Sequence, residues 1–142
     1  MKLEKNVENK KSILMITAFP PCSRTAGQNY TKRVIEELVR SDYDVSLISF
    51  EYPGHAMEVP DTVHILKVCR PNMLNCIKHI TYHPFFTKRY DSKLIRYIQK
   101  ISNMYDLVYF DFSQVMIYSI FLKHPLKLFM CHDIIYQRYS RR

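Results

Sequence analysis

Glycine is scarce in this sequence: Gly27 and Gly54 are the only two in 142 residues. A dinucleotide-binding turn needs three glycines as G-x-G-x-x-G, and a Walker loop needs G-x-x-x-x-G-K-[ST]. Both motifs bring backbone against phosphate where a Cβ would intrude, and neither can be written here. A G-x-S-x-G nucleophile elbow is missing as well. NAD-dependent oxidoreductase, P-loop ATPase and α/β-hydrolase therefore fall away first.

Long apolar runs are also lacking. None reaches the roughly 18 residues of a membrane-spanning helix. The first eleven residues are polar and mixed in charge, without the apolar core of a secretory signal, and read as a frayed tail over residues 1–11. Four cysteines are present (Cys22, Cys69, Cys76 and Cys131), but none forms a Cys-x-x-Cys pair or has histidines at zinc-ligand spacing beside it. No metal site is expected. Cys69 and Cys131 fall in predicted strands, and reduced thiols in a cytoplasmic protein are the default reading.

Basic charge is abundant. The formal net charge is +8, and the segment from Arg70 to Lys100 carries seven basic residues against the single acid Asp91, a local +6. An anionic partner or a solvated face both fit such a segment. Nucleic acid ranks last among the anions, because no nucleic-acid motif accompanies the charge.

The pattern along residues 12–142 is that of one α/β domain. Ile13 to Ala18 is a short apolar run ending at Pro20-Pro21. Gly27 to Arg40 reads as a helix capped by Thr25, with Tyr30, Val34, Ile35 and Leu38 as its apolar face. Val45 to Phe50 and Val63 to Val68 read as the next two strands. Arg70 to Phe86 is an irregular excursion with a short helix at Met73 to Ile80. A second clear helix spans Tyr90 to Ser102, with Leu94, Ile95, Ile98 and Ile101 as its stripe. Leu107 to Phe110 is a fourth strand, Gln114 to Leu122 a buried helix and Leu126 to Cys131 a fifth strand. Asp133 caps a last helix over Ile134 to Ser140. Alternation of this kind predicts a mainly parallel, Rossmann-like sheet flanked by helices. Its loops after the strands' carboxyl ends are the place for a site.

Three stretches carry a resemblance. Ile13-Leu14-Met15-Ile16-Thr17-Ala18-Phe19-Pro20-Pro21 with Ala26-Gly27 and Tyr43 to Phe50 resembles the opening of family-4-type retaining glycosyltransferases. Tyr105 to Gln114 is similar to their fourth strand and its loop. Phe129-Met130-Cys131-His132-Asp133-Ile134 is similar to the strand that ends in a histidine. The resemblance implies one half of a GT-B fold, the acceptor side. The nucleotide-sugar domain, with its Glu-x7-Glu motif, has no counterpart in the sequence. It also implies a nucleotide-sugar as donor substrate, no tightly bound cofactor, and a glycan or lipid-linked acceptor. The expected partner is a nucleotide-sugar domain or separate subunit, and the isolated chain is expected to be inactive. The alternative is a non-catalytic interaction module.

By the same resemblance His132 is the catalytic candidate, contacting the donor sugar. Gly27, Ala26 and Arg24 form the loop that faces the diphosphate, with Ala26 standing where many members have a second glycine. Asp111, Ser113 and Gln114 are candidates for acceptor hydroxyls. Each has a plainer reading: a turn glycine, a satisfied histidine, a surface arginine, a helix cap. The aromatic and basic stretch from Lys78 to Arg89 either rests on an anionic membrane at the inner face or folds over its own domain.

Overall fold

The structure is a computed structural model that describes residues 9–132. Five strands form one parallel sheet: β1 (Ser12–Thr17), β2 (Asp44–Phe50), β3 (His64–Cys69), β4 (Leu107–Asp111) and β5 (Lys127–Met130). Their order is β3-β2-β1-β4-β5, with β1 central. This is the α/β, Rossmann-like arrangement the alternation predicts. The chain leaves β1 toward one side of the sheet and returns to the other side through β4. Such a reversal of strand order opens a crevice at the carboxyl ends.

Residues along β1 alternate between two cores, as the pleat requires. Leu14 and Ile16 face a cluster with Ile48, Phe50, Val108, Phe110 and Tyr118. Into it the helix α4 (Ser92–Ile101) buries Leu94, Ile95, Ile98 and Ile101, the stripe read from the sequence. Ile13 and Met15 face the opposite cluster with Val45, Leu47 and Tyr109, closed by Ile35 of α1 (Ala26–Arg40). Each such side chain contributes about 1.5–3 kcal/mol when fully buried. Helix α1 is capped by Thr25, whose hydroxyl accepts from the Gln28 N–H.

Several boundaries differ from the sequence reading. Tyr30 is exposed, and the buried residues of the first turns of α1 are Gln28 and Thr31. That end of the helix overhangs the carboxyl edge of the sheet, where polar partners await: Gln28 Nε2 donates to the Pro20 carbonyl at 2.9 Å. The buried helix expected at Gln114 to Leu122 is a 3-10 turn, Ser113–Val115, followed by the short α5 (Ile117–Ile120). It buries Val115, Ile117, Tyr118 and Leu122 but leaves Ile120 outside, because so short a turn offers the sheet only one face. Strand β3 is an exposed edge with a bulge opposite Leu47 and Ile48. Cys131 lies just past β5 and is exposed. The excursion after β3 contains α2 (Asn75–Lys78) and α3 (Pro84–Thr87).

At the amino edge, Lys11 belongs to the fold despite its place in the expected tail: its carbonyl accepts from the Asp44 N–H at 2.9 Å. Asp133 and the helix expected at Ile134 to Ser140 lie outside the described residues. Among the described residues no helix is long and apolar enough to cross a membrane.

Candidate functional site

The crevice beside β1 and β4 gathers one buried acid and one histidine. Asp111, the last residue of β4, is wholly inaccessible. Its Oδ1 lies 2.9 Å from His132 Nε2. Its Oδ2 accepts from the hydroxyls of Thr17, at 3.3 Å, and of Thr31, the latter a short contact. Thr17 ends β1 and Thr31 sits one turn into α1, so three elements converge on one carboxylate. Burial pushes the Asp111 carboxyl up from its ordinary range, and the donors Thr31, His132 and Thr17 pull against that.

His132 is oriented as tightly as the acid. Its ring stacks at a tilt on Phe112, with centroids 4.1 Å apart, and meets Tyr30 edge-on at 5.4 Å. About 15% of its side chain remains accessible. With Nε2 committed to Asp111, the reactive face of the imidazole is Nδ1. An Asp–His pair of this kind fixes the ring and selects its tautomer. It can hold a proton at Nδ1, hydrogen-bond a sugar hydroxyl or steady developing charge.

Phe112 supports the pair at a cost. Its φ of 69° and ψ of 140° put a bulky residue in a region that L side chains rarely adopt. Such backbone costs about 1–3 kcal/mol and persists only where packing enforces it. Here its ring is wedged against Phe19, at 4.9 Å between centroids, against His132 and against Gly27. A Cβ on Gly27 would lie 2.9 Å from Phe112 Cε1 and 3.6 Å from His132 Cγ. The glycine is thus required by close approach of the Phe112 ring to α1, a reason in packing that stands beside any role toward phosphate.

The structure brings Gly27, Asp111 and His132 together, with Ala26 exposed at the first position of α1. Asp111 offers no free oxygen to an acceptor hydroxyl; it is placed as a positioning residue for His132. Arg24 is exposed and makes no ion pair among the described residues. Gln114 lines a separate cavity. Ser113 opens the 3-10 turn after Phe112, and no side-chain hydrogen bond joins it to the pair. Among the described residues no group of three or more metal-ligating side chains is placed to hold an ion.

Thr17, Thr31 and Phe112 were missed by sequence reasoning. Threonines are common in strands and helices, and nothing in their spacing reveals that two share a carboxylate. Phe112 carried one usable signal, its place directly after a strand-ending aspartate. No protein-family model matches the sequence, and no curated protein matches it.

Proposed function

We propose that this chain is the acceptor-side half of a GT-B, family-4-type retaining glycosyltransferase. Together with a nucleotide-sugar domain, linked or separate, it moves a sugar from a nucleotide-sugar to a glycan or lipid-linked acceptor. The observation that carries the reading is the Asp111–His132 pair at the carboxyl edge of the sheet, beside the amino terminus of α1. That edge is where open α/β sheets bind ligands, and a helix amino terminus favours a diphosphate. His132 takes the donor sugar, Ala26 and Gly27 face the diphosphate with the exposed Arg24 as a clamp, and Ser113 borders the acceptor.

The reading places the protein in the cytoplasm, peripheral to the inner face of the membrane. In support, Met73, Leu74, Ile77, Ile80 and Tyr82 are exposed around α2, next to Lys78. Aromatic and basic residues together suit an anionic lipid surface.

The test is NMR of the chain with millimolar UDP-glucose and GDP-mannose, alongside a turnover assay. Amide shifts confined to Ala26 and Gly27, with a shift of the His132 ring, are expected, and no turnover. Shifts elsewhere with none at these residues remove the donor assignment. Turnover by the chain alone overturns the two-domain arrangement.

The exposed apolar residues around α2 also favour a second reading, a non-catalytic interaction module that docks a partner there. A solution mass above that of one chain, lost on Ile77→Asp and Ile80→Asp, would select it.

A further inference from the structure

A cavity of about 1150 Å³ lies beside the Asp111–His132 pair, at the same edge of the sheet. Its lining comes from the loops after β1 (Phe19), β2 (Tyr52, His55), β3 (Arg70) and β4 (Gln114), and from Lys88 and Arg89 after α3. The volume is slightly above the usual range of pockets that take small molecules, about 300–1,000 Å³.

Arg89 is the unusual member. It is only 8% exposed, yet among the described residues it pairs with no carboxylate. Its Nε donates to the Ala18 carbonyl at 2.9 Å, and its guanidinium lies over the rings of Phe19, at 4.6 Å, and Phe50, at 6.0 Å. The other guanidinium N–H groups find no acceptor among the described residues. Burial draws its pKa down to about 10, so it stays charged at neutral pH. Those N–H groups reach the solvent of the cavity, and the planar fork of an arginine fits phosphate. Lys88, next in the chain and half-buried, is also free of ion pairs among the described residues. Among the described residues the one acid in the lining, Glu51, is already bound to Arg70 at 2.8 Å. Gln114 Oε1 is buried with no partner and so lacks a hydroxyl or N–H donor.

We propose that this cavity binds a small phosphate monoester that also carries hydroxyl groups, with Arg89 and Lys88 on the phosphate and Gln114 on a hydroxyl. Two cations of the lining without an ion pair among the described residues match the double charge of a monoester. That this ligand is the sugar acceptor rests on the glycosyltransferase reading; the binding itself does not. A smaller cavity of about 520 Å³ also touches Arg89; Lys78 and Lys93 line it beside Asp91, so it too can draw an anion, and Lys93 tells the two cavities apart.

Calorimetric titration of the full chain with glucose 1-phosphate, short-chain lysophosphatidic acid and glucose, in low salt, tests this. The tighter of the two esters tells whether the phosphate arrives free or on a lipid. At least one of them is expected to bind about tenfold or more tighter than glucose. Arg89→Met is expected to remove about tenfold or more, and Lys88→Ala several-fold. Lys93→Ala, which alters only the smaller cavity, leaves affinity unchanged. If Arg89→Met does not fold, Lys88→Ala decides alone, since its side chain holds no other element in place. Equal binding of glucose and both esters, indifference to Lys88→Ala, or a loss on Lys93→Ala overturns the proposal. Binding that survives His132→Ala, in a chain that fails the nucleotide-sugar test, keeps the pocket and removes only its role as an acceptor site.

Discussion

Strand β4 is preceded by Asp106 and ends on Asp111, and the two aspartates live in opposite circumstances. Asp106, at the amino edge, is solvated and clamps the start of β1: its Oδ2 accepts from the Ser12 N–H at 2.8 Å and the Ser12 hydroxyl at 3.1 Å. Those bonds hold its carboxyl below the ordinary range. Asp111, at the carboxyl edge, is buried and pushed upward. The histidines follow suit. Near the amino edge, His124 Nε2 lies 2.9 Å from the Tyr105 carbonyl and its Nδ1 takes the Leu126 N–H at 3.1 Å, so the ring is consumed by backbone. At the carboxyl edge His132 spends one nitrogen on Asp111 and keeps the other. One edge is built to hold strands; the other concentrates desolvation, strain and an unspent imidazole nitrogen, as functional sites do.

The sharpest way to break this contrast is to delete each acid. Asp111→Ala leaves two hydroxyls and His132 without their shared acceptor in a buried place. A loss of about 3 kcal/mol in urea denaturation is expected. Asp106→Ala frees groups that water can reach, and a much smaller loss is expected. The pH dependence separates them by sign. With its folded pKa lowered, Asp106 contributes stability above the ordinary aspartate value of about 3.9 and loses it as pH falls through the folded value. With its folded pKa raised, Asp111 keeps its proton longer in the native state. Its contribution is full below about 3.9 and declines as pH rises toward the folded value. Between pH 3 and 5, Asp111→Asn should therefore gain on the parent with rising pH while Asp106→Asn falls behind. Parallel curves would mean that the two environments are alike after all.

The contrast sharpens further at Gly27. Gly27→Ala puts a Cβ 2.9 Å from the Phe112 ring, which is braced by Phe19 and His132 and has little room to give. Overpacking of this kind costs about 1–3 kcal/mol. Here it should also shift the His132 ring resonances. Gly54, with φ of 76° and nothing within reach of an added Cβ, suffers only in its backbone, and Gly54→Ala should leave His132 untouched. A Gly27→Ala protein as stable as the parent, with unmoved His132 signals, would show that the ring is not wedged.

How much of this was legible beforehand divides along the same line. The strands and the α4 stripe could be read, because Leu94, Ile95, Ile98 and Ile101 repeat at helical spacing and burial follows periodicity. Thr25 was legible as a cap because its chemistry is local. Asp111 and His132 were visible as residues at strand ends. Their pairing was not, since 21 residues separate them and only the β4–β5 register brings them together. Tyr30 was misplaced because periodicity alone assigns an apolar face. It cannot see that the first turns of α1 overhang an edge where Pro20 and Asp111 call for Gln28 and Thr31. Arg89 was lost among seven basic residues, for charge counts do not say which cation is buried.

The smallest effect bears on the strain itself. Among the described residues two non-glycine residues have positive φ, Phe112 at 69° and Asp42 at 65°, one near each edge. Asp42 ends α1 in a Schellman turn: its N–H reaches the Val39 carbonyl at 3.1 Å, and the Tyr43 N–H reaches Leu38 at 3.0 Å. Glycine is the usual residue there, and the Asp42 side chain adds only a surface pair with Lys10. Asp42→Gly should stabilise the protein by roughly 0.5–1 kcal/mol, since relief of the left-handed penalty outweighs an exposed ion pair. Phe112→Gly relieves a similar backbone but also deletes the ring that seats His132 on Gly27. Losing a large buried side chain costs about 3–5 kcal/mol and this ring is partly exposed, so a smaller net loss is expected. If both glycine variants gained stability, the strain at Phe112 would be incidental like that at Asp42. If only Asp42→Gly gains, the carboxyl edge holds its strained residue for the sake of what it positions.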